Sequence, residues 1–138
     1  MIILDTNVLS ELMRASPSAQ VANWLGSMSQ STIFTTAVTK AEILYGLEPM
    51  PRGRKRELLQ RAVTAMLTER FPNRVLPFGE DEAPIFAHLA ATRRGLGRPI
   101  GQFDCQIASI ARIHGASVAT RDIRDFADCG LDLIDPWA

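Results

Sequence analysis

Four acidic residues, Asp5, Glu42, Asp104 and Asp122, stand at places where the chain changes course. Asp5 ends the apolar run Ile2-Ile3-Leu4. Packing explains a carboxylate there poorly, because burying an unpaired charge is costly. Glu42 lies in Ala41-Glu42-Ile43-Leu44 and borders an apolar helical face rather than a charged one. Asp104 falls in the first turn of a helix whose apolar stripe reads Phe103, Ile107, Ile110 and Ala111, and Asp122 closes the turn Thr120-Arg121-Asp122. Singly, each has a modest explanation: a helix cap for Asp5 or Asp104, a solvent-facing ion pair for Glu42. Together they form a set of hard oxygen donors without histidine or cysteine, which suits Mg²⁺ or Mn²⁺. Gathered carboxylates repel one another unless cations neutralise them. Such sites serve phosphoryl chemistry by polarising phosphate and activating water.

The elements that must position these acids alternate between strand and helix. Ile2-Ile3-Leu4 reads as a buried strand, and Thr6 or Asn7 is placed to cap a helix carrying Val8, Leu9, Leu12 and Met13. After Ser16-Pro17-Ser18 a second helix follows with Val21, Ala22, Trp24, Leu25 and Met28 inward. The β-branched run 32–36 predicts a strand feeding a helix over about 37–47. Residues 54–71 form a long amphipathic stretch with Leu58, Leu59, Ala62, Val63, Met66 and Leu67 inward. Arg74 to Phe78 reads as a short strand, which Pro77 confines to an edge or a strand end. Helices over about 82–94 and 102–114 flank a glycine-rich link, and strands at 117–120 and 131–134 complete the pattern. This alternation predicts a single α/β domain over residues 1–138, a three-layer sandwich with a mainly parallel sheet between helices. Ligands in such folds collect beyond the carboxyl ends of the strands, which is where Asp5 and Asp122 fall.

Composition narrows the class. The chain of 138 residues is 46% hydrophobic and 22% charged, ordinary for one globular domain. No apolar run approaches the roughly 20 residues a spanning helix needs, and the opening residues lack a basic signal-peptide region. The expectation is a cytoplasmic protein without a membrane partner. Cys105 and Cys129 form no paired motif, and with His88 and His114 they are too few for a soft-ligand metal site. The 15 basic and 15 acidic residues cancel, but unevenly along the chain. Arg52, Arg54, Lys55, Arg56, Arg61, Arg70 and Arg74 gather in the middle, whereas the stretch from Asp122 onward is rich in aspartate. The group Arg52, Arg54, Lys55 and Arg56 is a candidate contact for RNA phosphates, weighed evenly against a solvated helix face.

Leu4-Asp5-Thr6-Asn7-Val8 resembles the opening of PIN-domain nucleases, especially the VapC-like and FitB-like toxins of toxin–antitoxin pairs. The resemblance continues through Ala41-Glu42-Ile43 with Tyr45-Gly46-Leu47, then Phe103-Asp104-Cys105-Gln106-Ile107-Ala108. It closes with Thr120-Arg121-Asp122, Asp125-Phe126 and Ile134-Asp135-Pro136-Trp137. Each motif is weak alone, and their order over nearly the whole chain is specific. The resemblance implies a PIN fold, Mg²⁺ or Mn²⁺ as cofactor, RNA cleavage and homodimerisation. It also implies inhibition by a small antitoxin, for which an arginine is the natural ligand of an acidic cluster. It places Asp5, Glu42, Asp104 and Asp122 at the acidic site, with Asn often standing in relatives where this chain has Asp122. Thr6, Asn7, Thr120 and Asp125 fall at supporting positions.

Rival readings fit less well. A phosphotransferase using Asp5 would want a second aspartate two residues on, where this chain has Asn7. A receiver domain would want a late lysine, and none follows Lys55. A PIN-fold module that binds RNA or protein without catalysis should have lost acids, and all four are present.

Overall fold

The computed structural model describes all 138 residues. Strands β1 (Ile2–Leu4), β2 (Ile33–Thr36), β3 (Val75–Leu76), β4 (Ser117–Ala119) and β5 (Leu133–Ile134) form one sheet in the order β3-β2-β1-β4-β5. Every pairing in it is parallel. The helices are α1 (Thr6–Leu12), α2 (Ala19–Gly26), α3 (Ala37–Leu47), α4 (Arg54–Arg70), α5 (Ala83–Gly95) and α6 (Gln102–His114). Short 3-10 turns cover Gln30–Thr32 and Ile123–Phe126.

β1 is apolar throughout because both of its faces are covered. Ile3 and Val118 join a core with α5 and α6, in which Leu89, Ile107 and Ile110 are buried. Leu4 and Ala119, one residue on, point the other way into a second core with Val8, Val21, Val63 and Leu67. The period-two alternation of a strand thus turns three residues of β1 into the seam of a three-layer sandwich. A buried side chain of the size of Ile3 or Leu4 stabilises the fold by roughly 1.5–3 kcal/mol, so the seam is anchored where it matters most.

Strand order creates the crevice. From β1 the chain moves outward through β2 to β3, then returns to lay β4 on the other side of β1. Connections leaving the carboxyl ends of β1 and β4 therefore diverge, the arrangement that opens a ligand crevice in parallel sheets. The loop behind β4 is tied down by Arg93 of α5. Its buried guanidinium donates to the carbonyl oxygens of Arg98, Asp125 and Ala127 at 2.7, 2.8 and 3.0 Å. Those acceptors make its burial tolerable.

Several local expectations shift. Asp5, not Thr6 or Asn7, caps α1, accepting from the Thr6 N–H at 2.8 Å. Thr32 ends a 3-10 turn instead of opening β2, and β5 begins at Leu133, not Leu131. Ala22 of α2, Leu58, Leu59 and Ala62 of α4, and Phe103 of α6 are exposed although their spacing marked them for the core. The first turns of α4 bury nothing fully, and only Val63 and Leu67 of this helix are buried in the second core. α6 instead follows its pattern closely and ends at Gly115, whose φ of 62° is readily adopted only by glycine.

Candidate active site

Asp5, Glu42, Asp104 and Asp122 line one open cleft of about 540 Å³ at the crevice between β1 and β4. They come from four separate elements: the end of β1, the middle of α3, the first turn of α6 and the turn behind β4. Asp5 is the deepest, 4% exposed, with Glu42 and Asp104 half-buried and Asp122 exposed.

Hydroxyls and an amide hold three of these acids in place. Thr120 Oγ1 donates to Asp5 Oδ2 at 2.8 Å and itself accepts from the Asp122 N–H at 3.0 Å, so one buried hydroxyl links two acids. Thr6 Oγ1 lies 2.8 Å from Glu42 Oε1 and 3.1 Å from Thr39 Oγ1. A carboxylate can only accept, so the single Thr6 proton goes to Glu42 and the Thr39 hydroxyl turns to donate to Thr6. Asn7 Nδ2 donates to Asp122 Oδ2 at 2.9 Å, while Asn7 Oδ1 accepts from the Arg121 N–H at 3.3 Å. Asp104 has no such clamp; α6 is entered through Gly101, and Asp104 reaches the cleft from its third position.

Electrostatics marks the two inner acids. Burial pushes the Asp5 carboxyl up to about 6, against the pull of its hydrogen bonds from Thr120 and Thr6, with Glu42 and Asp122 adding repulsion. Asp104 rises to about 7, first through burial and then through the charges of Asp5, Asp125, Glu42 and Asp122. Removing these carboxylates from water disfavours ionisation, and their neighbours compound the cost. A divalent cation in the cleft would relieve that repulsion, and its donor set is all oxygen. No three of the side chains close around a point as a cage would. That spacing suits an ion such as Mg²⁺, which keeps several waters and takes one or two carboxylates.

The supporting residues divide. Thr6, Asn7 and Thr120 touch the acids directly. Asp125 does not line the cleft; its backbone carbonyl accepts from Arg93 and its charge reaches Asp104. The basic group lies elsewhere. Arg52, Arg54 and Lys55 are exposed at the start of α4, Arg56 is bound to Glu48 and Met50, and none of the four lines the cleft. Glu11, Arg14, Arg121 and Trp137 do line it without having been singled out as site residues. A signal existed for the first pair: Asn7, Glu11 and Arg14 follow the i, i+4, i+7 spacing of one helical stripe. Arg121 and Trp137 stood in motifs that carry the family resemblance, but only the placing of β5 beside β4 brings them together.

A parallel sheet with carboxylates at its switch point defines an acidic cleft, and the PIN domain pattern matches residues 2–130. The chain belongs to the PIN-domain family. It is 41% identical to the VapC ribonuclease Y4jK of Sinorhizobium fredii, over 99% of this chain and 98% of that protein. It is 34% identical to the toxin FitB of Neisseria gonorrhoeae, over 99% of both chains. A solved structure of FitAB bound to an IR36 DNA fragment superimposes with a TM-score of 0.91, covering 100% of this chain and 96% of that one at 34% identity.

Proposed function

We propose that this protein is a Mg²⁺- or Mn²⁺-dependent ribonuclease, the toxin of a toxin–antitoxin pair, which hydrolyses phosphodiester bonds at Asp5, Glu42, Asp104 and Asp122. The observation that carries it is the convergence in one cleft of four acids separated by up to 117 positions, from Asp5 to Asp122. The names of its relatives, a VapC ribonuclease and the toxin FitB, support RNA as substrate and toxicity as outcome.

Asp5 and Asp104 would hold the cation, with Glu42 and Asp122 completing its surroundings directly or through water. A bound divalent ion supplies neutralisation of the phosphate and polarisation of the attacking water. The chain's own groups do the rest. Thr120 and the Thr6 N–H keep Asp5 aimed with both oxygens engaged. Thr6 fixes the Glu42 rotamer, and Asn7 fixes Asp122. Burial raises the proton affinity of Asp5 and Asp104, and both carboxyls would give up those protons as the cation binds, so metal binding would strengthen with rising pH. A homodimer and an inhibitory antitoxin complete the reading. An antitoxin arginine entering the cleft would meet a planar acceptor in any of these carboxylates.

Expression of this chain alone in bacteria, beside an Asp5→Asn control, tests the proposal. Growth arrest with new RNA 5′ ends in the native strain only is the expected result. Normal growth with folded, soluble native protein and no new RNA ends would overturn it.

A further inference from the structure

Beyond the cation that would neutralise the scissile phosphate, the flanking RNA backbone still meets four carboxylates, and a cationic side chain in the cleft would offset that repulsion. The lining includes two cationic side chains, Arg14 and Arg121. Arg14 is partly engaged: its Nη1 lies 3.1 and 3.0 Å from the two oxygens of the nearly buried Glu11, which offsets its charge. Arg121 enters no ion pair. Its guanidinium lies over the ring of Trp137, 4.9 Å from the centroid. Trp137 is itself packed against the α1–α4 core, and its backbone N–H donates to Asp135 Oδ1 at 2.9 Å. Arg121 is held from the other side as well, since its backbone N–H is bound by Asn7, the residue that also holds Asp122. An unpaired cation and an aromatic plane are thus fixed side by side against the acids.

We infer that the Arg121–Trp137 pair is the platform that seats single-stranded RNA in the cleft. The Arg121 edge donors take a phosphate, and the stacked pair takes the face of the adjoining unpaired base. This inference rests on the ribonuclease reading above and adds to it the residues that hold the strand beside the acids. Unstacked bases find aromatic rings and guanidinium planes as partners, whereas the faces of a base in a duplex are covered by its neighbours. Stacking on such platforms tolerates any base, so the pair selects for strandedness more than for sequence. The basic start of α4, outside the cleft, would then contribute only general attraction.

The test uses the non-cleaving Asp5→Asn protein with Trp24→Phe, which leaves Trp137 as the sole indole. Its fluorescence is followed against a short single-stranded oligoribonucleotide, the matching duplex, and inorganic phosphate. Quenching by the single strand alone, with affinity weakened about 5- to 100-fold by Trp137→Leu and largely kept by Trp137→Phe, is expected. Arg121→Gln, which alters an exposed side chain and spares the core, should flatten the slope of log affinity against log salt by about 0.7, one phosphate contact. In the chain with intact acids, both variants should lower cleavage of single strands and leave metal affinity unchanged. Unaltered binding and cleavage in Arg121→Gln and Trp137→Leu, while the native chain still cuts RNA, would overturn the platform and leave the ribonuclease reading standing. If the native chain neither binds nor cuts any RNA, both fall.

Discussion

The cleft and the head of α4 are the two most charged regions of the molecule, and they are built in opposite ways. In the cleft, acids from four elements are sunk among threonine hydroxyls and an asparagine amide, and burial raises the proton affinity of the two innermost. At the head of α4, Arg52, Arg54 and Lys55 stand in water, and Leu58 and Leu59 beside them are exposed. Like charges in solvent cost the fold little and need no partners. Like charges under partial burial oppose folding, and a fold that keeps them has positioned them for something that binds. Charge density alone did not separate the two regions; burial and the hydrogen bonds around each charge do.

Substitutions should break this comparison most sharply. Asp5→Asn and Asp104→Asn preserve shape and remove a charge, and each is expected to lower RNA cleavage by at least about 100-fold, since even indirect changes around metal sites cost 10–100-fold. Glu42→Gln should act similarly, and Asp122→Asn less, because Asp122 is the exposed member of the set. Charge reversal of Arg54 and Lys55 should change cleavage by no more than a few-fold. Steady-state assays on folded variants check the ranking, and equal losses in the two regions would erase the distinction.

Next comes the hydroxyl that links two acids. Thr120→Val leaves Asp5 Oδ2 without its donor and the Asp122 N–H without its acceptor. Metal affinity measured by calorimetry should fall about 10–100-fold, and Thr120→Ser should restore most of it.

A smaller effect lies in stability. Asp5 and Asp104 hold protons more tightly in the folded chain, at about 6 and 7, than an aspartate does at its ordinary value of 3.8. Their contribution to metal-free stability is therefore complete below about pH 4 and is lost as pH rises through 6 to 7. Asp5→Asn should accordingly stabilise the metal-free protein at pH 8, by about 1–3 kcal/mol, and give no gain near pH 4. Saturating Mg²⁺ or Mn²⁺ should reverse the sign at pH 8, because the ion binds the ionised native site. Denaturant melts at both pH values decide it.

Much of this was legible in the sequence, for physical reasons. Strands covered on both faces are continuously apolar, so β1 and the run before Thr120 stood out. An acid ending such a run has few structural excuses, which made Asp5 and Asp122 visible. The exposure of the first turns of α4 was not legible: Leu58, Leu59 and Ala62 have core spacing, and only the assembled layers reveal how little covers them. Phe103 shows the same limit at the head of α6. Pairings across distant segments were also hidden. Thr120 with Asp5 and Arg121 with Trp137 meet because β4 lies between β1 and β5, an order that spacing along the chain does not encode.

The most direct measurement of the central claim is Mn²⁺ binding by electron paramagnetic resonance, paired with cleavage of a single-stranded RNA at each metal concentration. Native protein should bind Mn²⁺ more tightly as pH rises from 5 to 8, with cleavage tracking occupancy and vanishing in EDTA, while the Asp5→Asn, Asp104→Asn double variant binds none at the same concentrations. Full cleavage in EDTA, or undiminished Mn²⁺ binding by the folded double variant, would contradict the assignment of the cleft acids as the metal site.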